Sequence, residues 1–291
     1  MKMEKVKQNK MKHSVIKRAF VLTTVGLLIT GMVCAQTHEI SFWGSGGVSS
    51  LQSRPSSGKM TAGFASALGV GYTFFLNNHW GLSSGLEYAI YQNKTGIEGF
   101  TEACETVDIF NNPILYHARI NSYSEKLFAA TVNLPLSVLY QTDGDIRFYV
   151  SAGLKPGLPV SAKYEGSNCM LETSGYYTEY DQTEIWQNDL GYGVFSRSGK
   201  KGKMDLKSAV MGTLETGVKW ETDMGHSFYA GVFLDYGINN ALKNDCSQKP
   251  MVEYNRNEPN EPVMNPAFIP ASRISPMALG VKLKMAFVIG Y

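Results

Sequence analysis

The chain has 291 residues, 44% hydrophobic and 18% charged, enough for one large domain or two small ones and unlike a disordered tail. Its formal charge of +2 misleads, because residues 1–35 hold seven of the basic residues and one acidic residue, and the remaining 20 basic and 24 acidic residues give −4. A mildly acidic domain has no electrostatic reason to bind nucleic acid, which needs clustered Lys and Arg, so that class of partner is excluded.

Residues 1–35 read as a secretory signal peptide. Lys2, Lys5, Lys7, Lys10, Lys12, Lys17 and Arg18 precede an apolar run from Ala19 to Val33. Val33 and Ala35 then offer small residues at −3 and −1, and cleavage is expected between Ala35 and Gln36. The run is short of the roughly 20 apolar residues that span a bilayer, which argues against an uncleaved anchor. Val33 before Cys34 argues against lipidation.

From Gln36 onward the recurring pattern is alternation with a period of two, so the domain at 36–291 is expected to be all-β. In chain order the alternating segments are Ile40 to about Val48, Phe64–Phe74, Trp80–Ile90, Phe128–Tyr140, Ile146–Leu154, Val210–Trp220, Phe228–Ile238 and Met277–Tyr291. These predict about eight strands of roughly nine to thirteen residues, the length of a tilted strand crossing a bilayer. Tight turns rich in Asn, Asp and Gly are predicted at Leu76–His79, Gln141–Asp145 and Thr222–His226. Long polar loops are predicted at Ser49–Thr61, Asn93–Glu125, Tyr164–Lys207 and Asn239–Ser275, so every second connection is long. Short periplasmic turns and long extracellular loops have this asymmetry, and an even strand number puts both termini in the periplasm.

Alternation alone leaves open a soluble lipocalin-like barrel with its apolar face inside. The second face carries Glu87, Asn133, Arg147, Lys155, Glu215, Lys219, Asp235, Lys282 and Lys284 among small residues, a set that could interlock as a neutralised network in a narrow lumen. Trp80, Tyr140, Trp220, Phe228 and Tyr291 lie near the short turns, where amphipathic rings favour a membrane boundary. The expected architecture is a transmembrane antiparallel up-and-down β-barrel in the outer membrane, in contact with its lipid.

The stretches TVNLPLSVLYQ at Thr131–Gln141, FYVSAGLKPG at Phe148–Gly157, LDYGINNAL at Leu234–Leu242 and the terminal GVKLKMAFVIGY carry a family likeness. The chain resembles the small outer-membrane β-barrel domain family of Bacteroidota type, which includes PorT-like proteins and the barrel part of OmpA-like proteins. The resemblance implies an assembly signal at Phe287, Ile289 and Tyr291 read by the barrel-assembly machinery. It implies no catalytic residue, and cell-wall tethering is not expected because no peptidoglycan-binding domain follows the last strand. PorT-like proteins further imply a role as accessory to an envelope secretion or transport machine. Pro135 inside a strand removes a ladder hydrogen bond and predicts a bulge or bend.

An eight-stranded barrel has an interior just wide enough for side chains to fill, so the leading expectation is a non-enzymatic barrel whose loops make surface contacts with envelope proteins or glycans. The candidate surface is the loop holding Tyr176, Tyr177, Tyr180, Trp186, Tyr192 and Phe195, although these rings could simply pack the loop. Cys104, Cys169 and Cys246, one per long loop, permit one disulfide and one free thiol, or equally three free thiols. His38, His79, His117 and His226 form no recognisable catalytic or metal constellation, and neither metal nor cofactor is expected.

Overall fold

The computed structural model describes residues 37–53, 59–222, 225–243, 249–267 and 274–289. The signal segment, Cys246 and Tyr291 lie outside the described residues. The alternating segments form strands β1 (His38–Ser53), β2 (Lys59–Phe75), β3 (Trp80–Val107), β4 (Pro113–Asn133), β5 (Leu136–Gln141) and β6 (Ile146–Gly166). Shorter pieces β7 (Cys169–Tyr177), β8 (Gln182–Glu184), β9 (Gly193–Arg197) and β10 (Lys201–Lys203) follow. The chain then runs through β11 (Ala209–Glu221), β12 (His226–Gly237), the short pair β13 (Val252–Glu253) and β14 (Val263–Met264), and β15 (Ile274–Ile289).

Nine of these make a closed antiparallel ring of eight strands, β4 and β5 together forming one. β1 pairs β2, β2 pairs β3, and β3 pairs the composite strand β4–β5, which pairs β6. β6 then pairs β11, β11 pairs β12, and β12 pairs β15, which returns to β1. Pro135 lies in the gap between β4 and β5. Register against β3 is unchanged across it, from Glu87↔Asn133 to Ser84↔Leu136, so the proline interrupts the ladder locally without slipping the strand. A bulge instead falls next to it, where Ala130 pairs Ser161 but Thr131 pairs Pro159.

The three tight connections lie at one end, together with the start of β1 and the end of β15, where His38 faces Ile289. Asn77 Oδ1 accepts the His79 and Trp80 amides, and Gly144 takes φ +112°, each a local reason for a sharp turn. At the other end the strands overshoot. β3 runs 28 residues, and β4 and β6 run 21 each, against the expected nine to thirteen. The predicted loop Asn93–Glu125 is therefore mostly a β3–β4 hairpin, closed only at residues 108–112. It reads as a loop because its polar residues fall on both faces once it leaves the apolar belt. The predicted loop Tyr164–Lys207 likewise contains β7, β8, β9 and β10.

The outer wall is apolar. Phe42, Leu68, Val70, Leu82, Leu86, Phe148, Val150, Leu154, Val232, Val281 and Leu283 are all exposed. The charged face points inward, the reverse of a soluble lipocalin, so that alternative falls. Among the described residues no helix is long and apolar enough to cross a membrane; the crossing elements are strands. Near the tight turns Trp80 packs edge-on against Tyr140 at 4.9 Å, and Trp220 stacks on Phe228 at 5.8 Å, an aromatic rim on the lipid side.

Candidate functional site

Two polar regions stand out, one in the lumen and one above the ring at the long-loop end. Inside the barrel, opposite charges from six ring strands meet in a single ladder. At the tight-turn end Arg147 binds Glu221 at 3.1 Å, and Lys219 joins Glu221 at 2.8 Å to Glu39 at 2.7 Å. Glu39 also accepts from the Tyr229 hydroxyl at 2.6 Å. In the middle, Glu215 accepts from Lys282 at 2.6 Å and from the Tyr149 hydroxyl at 2.8 Å, with Lys284 at 3.9 Å. Lys284 also lies 4.4 Å from the centre of the Tyr229 ring. Further up, Lys155 bridges Asp235 at 2.7 Å and Glu87 at 2.9 Å, and Asn133 donates to Glu87 at 3.1 Å.

Trp43 ties the middle to the top. Its indole nitrogen donates to Glu87 at 3.0 Å, and Lys282 sits 4.8 Å from the ring. The ring lies against the backbones of β2 and β3, because Gly69, Gly71 and Gly85 leave no side chain there; a Cβ at any of them would collide with it. The structure thus brings Glu87, Arg147, Lys155, Glu215, Lys219, Asp235, Lys282 and Lys284 into one ladder, with Arg147 at its exposed mouth. Glu39 and Glu221 complete it and were missed. Glu39 precedes the first apolar residue of its strand, and only extending the inward phase of Ser41 and Trp43 backwards would have found it. With them the ladder holds five cations and five carboxylates.

The region above the ring has its own core. Ile97, Ile114, Tyr116, Ile120, Leu171 and Tyr192 pack with Met251, Val252 and Met264 from the connection after β12. Glu102 on β3 holds that connection by accepting the Met251 amide at 2.8 Å and the Val252 amide at 3.3 Å. Burial pushes the Glu102 carboxyl up, and the two amides offset this only in part. At the hairpin tip Asp108 accepts from the Phe110 and Asn112 amides, both at 2.8 Å, from the Asn112 side chain and from the Tyr177 hydroxyl. Burial alone would raise the Asp108 carboxyl; these donors outweigh it and hold it below the usual carboxylate range.

The six aromatic residues expected to form one contact surface divide. Tyr192 is fully buried and hydrogen-bonds Tyr177 at 3.1 Å, so for these two the packing alternative holds. Phe195 is half-buried against the same core. Tyr176 turns its hydroxyl to Asp181, while Tyr180 and Trp186 are exposed. Trp186 borders a cleft of about 480 Å³ with Glu102, His117, Arg119 and Glu172. The cysteines depart from expectation in their placement. Cys104 lies on β3 and Cys169 on β7, within strands and not loops, and both are free thiols. Cys169 points its sulfur at Met264 Sδ, 3.2 Å away, inside the upper core. Phe287 contacts His226 and Phe42 on the outer wall, beside Ile289, which is exposed.

A closed eight-stranded ring with an apolar outer wall and a charged interior defines a membrane-spanning β-barrel. The family model described as outer membrane protein beta-barrel domain matches residues 34–243, and the chain belongs to that family, located in the outer membrane. Solved structures similar to it include OprG from Pseudomonas aeruginosa, at 11% identity and a TM-score of 0.34, over 87% of this chain and 97% of that one. The N-terminal β-barrel domain of OprF from the same organism aligns at 14% identity and 0.31, over 87% and 97%. Ail of Yersinia pestis, solved with the heparin analogue sucrose octasulfate, aligns at 11% and 0.31, over 88% and 100%. None of the curated proteins compared matches the chain.

Proposed function

We propose that this protein is a non-enzymatic outer-membrane barrel that conducts no solute and holds a folded platform at the cell surface for contacts with other envelope proteins or glycans. The observation that carries this reading is the division of labour between the two regions. The charge ladder crosses the lumen with its cations and carboxylates matched, while the β3–β4 hairpin and the connection after β12 build a second core outside it. The long-loop end is then extracellular and both termini are periplasmic. The PorT-like and OmpA-like likeness read from the strand motifs belongs to this proposal, with envelope proteins as its natural partners.

The exposed contact residues are Trp186, which lies beside the charged side chains of the cleft, and Tyr180, both rings with large apolar faces. The test has two arms. In planar bilayers the wild-type protein is expected to show no stable ion conductance. On whole cells, Trp186→Ala with Tyr180→Ala is expected to reduce capture of envelope proteins or glycans at least tenfold with barrel assembly unchanged. Steady channel openings, or undiminished capture by the double variant, would overturn the reading.

A further inference from the structure

The outer wall carries a basic groove that neither the lumen nor the upper core uses. On three neighbouring strands the outward-facing apolar series gives way to lysine: Lys94 on β3, Lys126 on β4 and Lys163 on β6, all exposed. Below them, toward the membrane belt, the same faces present Ile90, Phe128, Leu158 and Val160, the last two strongly exposed. The edge strand β10 adds Lys201 and Lys203 beside β6. The five lysines line one groove of about 580 Å³, with Glu165 as its one acidic side chain.

The strand register makes this cluster unfavourable unless something neutralises it. Lys94 is directly opposite Lys126, and Lys163 is directly opposite Lys203, two like-charge cross-strand pairs of the kind that destabilise a sheet. Glu165 is opposite both Lys126 and Lys201 but forms its ion pair with Lys201, at 2.6 Å. Among the described residues the other four lysines have no carboxylate within ion-pair distance.

We propose that this groove binds the phosphate-bearing headgroup of a membrane lipid of the outer leaflet. A lipid fits better than a soluble anion because its acyl chains would run down the apolar strip of half-buried Phe128 and exposed Leu158 and Val160 below the lysines. Phosphate is the matching chemistry because the groove is lined by lysines and no arginine, point charges without the planar fork that suits a carboxylate. The leaflet follows from the orientation proposed above, with the long-loop end outermost; the groove and its ligand chemistry do not depend on the surface-contact role.

The experiment is native mass spectrometry of the full mature protein from detergent, loaded with bis-phosphorylated lipid A or with the same glycolipid stripped of its phosphates. Wild type is expected to retain the phosphorylated lipid at least fivefold over the stripped one. Lys94→Gln/Lys126→Gln/Lys163→Gln is expected to lose that preference, and the corresponding triple arginine variant to keep it. Equal retention of the two lipids by wild type overturns the proposal without needing any variant to fold. So does undiminished preference in the glutamine variant, or complete displacement of the lipid by millimolar inorganic phosphate, which would mark a free-anion site. Bilayer conductance and surface capture are read separately, so failure here leaves the proposed function standing.

Discussion

The lumen and the region above the ring both bury many polar side chains, but they satisfy them in opposite ways. In the lumen, charge meets charge: Lys155, Lys219, Lys282 and Lys284 each lie against a carboxylate from another strand. Above the ring, side chains mostly satisfy backbone. Glu102 accepts two amides, Asp108 accepts two more, and Thr173 donates to the Gly191 carbonyl at 2.7 Å. The difference follows from what each must hold. Ring strands already pair every backbone group with a neighbour, so their inward side chains have only one another. The upper connections leave the ladder, and their orphaned amides need side-chain acceptors.

The largest expected effect lies in the lumen. Lys219→Met removes the cation between Glu39 and Glu221, and Glu39 is left almost fully buried without its ion-pair partner. Breaking a buried pair from one side costs about 3–5 kcal/mol. Urea unfolding of the micelle-embedded barrel, followed by the gel-mobility shift of unboiled protein, should move its midpoint down accordingly. Adding Glu39→Gln should recover a good part of the loss; no recovery would mean that Lys219 acts through packing against Phe75 and Tyr229. In the upper core, Leu171→Ala empties a fully buried site on a strand outside the ring, at about 2–5 kcal/mol. The two regions being separate, this loss should appear as faster protease cleavage above the ring with an unchanged ring midpoint. A matching fall in the ring midpoint would show one cooperative unit.

The same contrast explains what could be read from sequence. All eight ring strands were visible because each has one wall in lipid, which forces strict alternation. Closure into an even-numbered ring followed from strand number and turn lengths, but the register did not. Eight of the ladder's ten members could be named from their phase, but not their partners, since Lys219 and Glu39 are 180 residues apart in sequence. Above the ring the pattern fails. Ile97, Ile114 and Ile120 face a core made partly by Met251, Val252 and Met264, and no local periodicity foretells that a distant connection will cover one face. The lysine groove was invisible for a similar reason: five residues scattered from Lys94 to Lys203 meet only once the register is set.

The smallest effect probes the side-chain-to-backbone mode directly. Asp108 closes the β3–β4 hairpin, where Asn111 adopts φ 68°, a left-handed conformation held by the turn. Its donors favour the ionised carboxylate, so its folded pKa lies below the unfolded value of about 3.9. A group depressed in this way contributes stability that is fully present above the unfolded pKa and is lost as pH falls through the folded one. The tip should therefore loosen only below about pH 4, while the hydrogen bonds themselves contribute on the order of 1 kcal/mol each. The Phe110 and Asn112 amide resonances should shift together through that acid window in the wild type. In Asp108→Asn the side-chain oxygen can still accept both amides but cannot titrate, so the hairpin should hold its shape with the acid step gone. An acid step that persists in the variant would assign the titration to another carboxylate and remove Asp108 as the clasp of the hairpin.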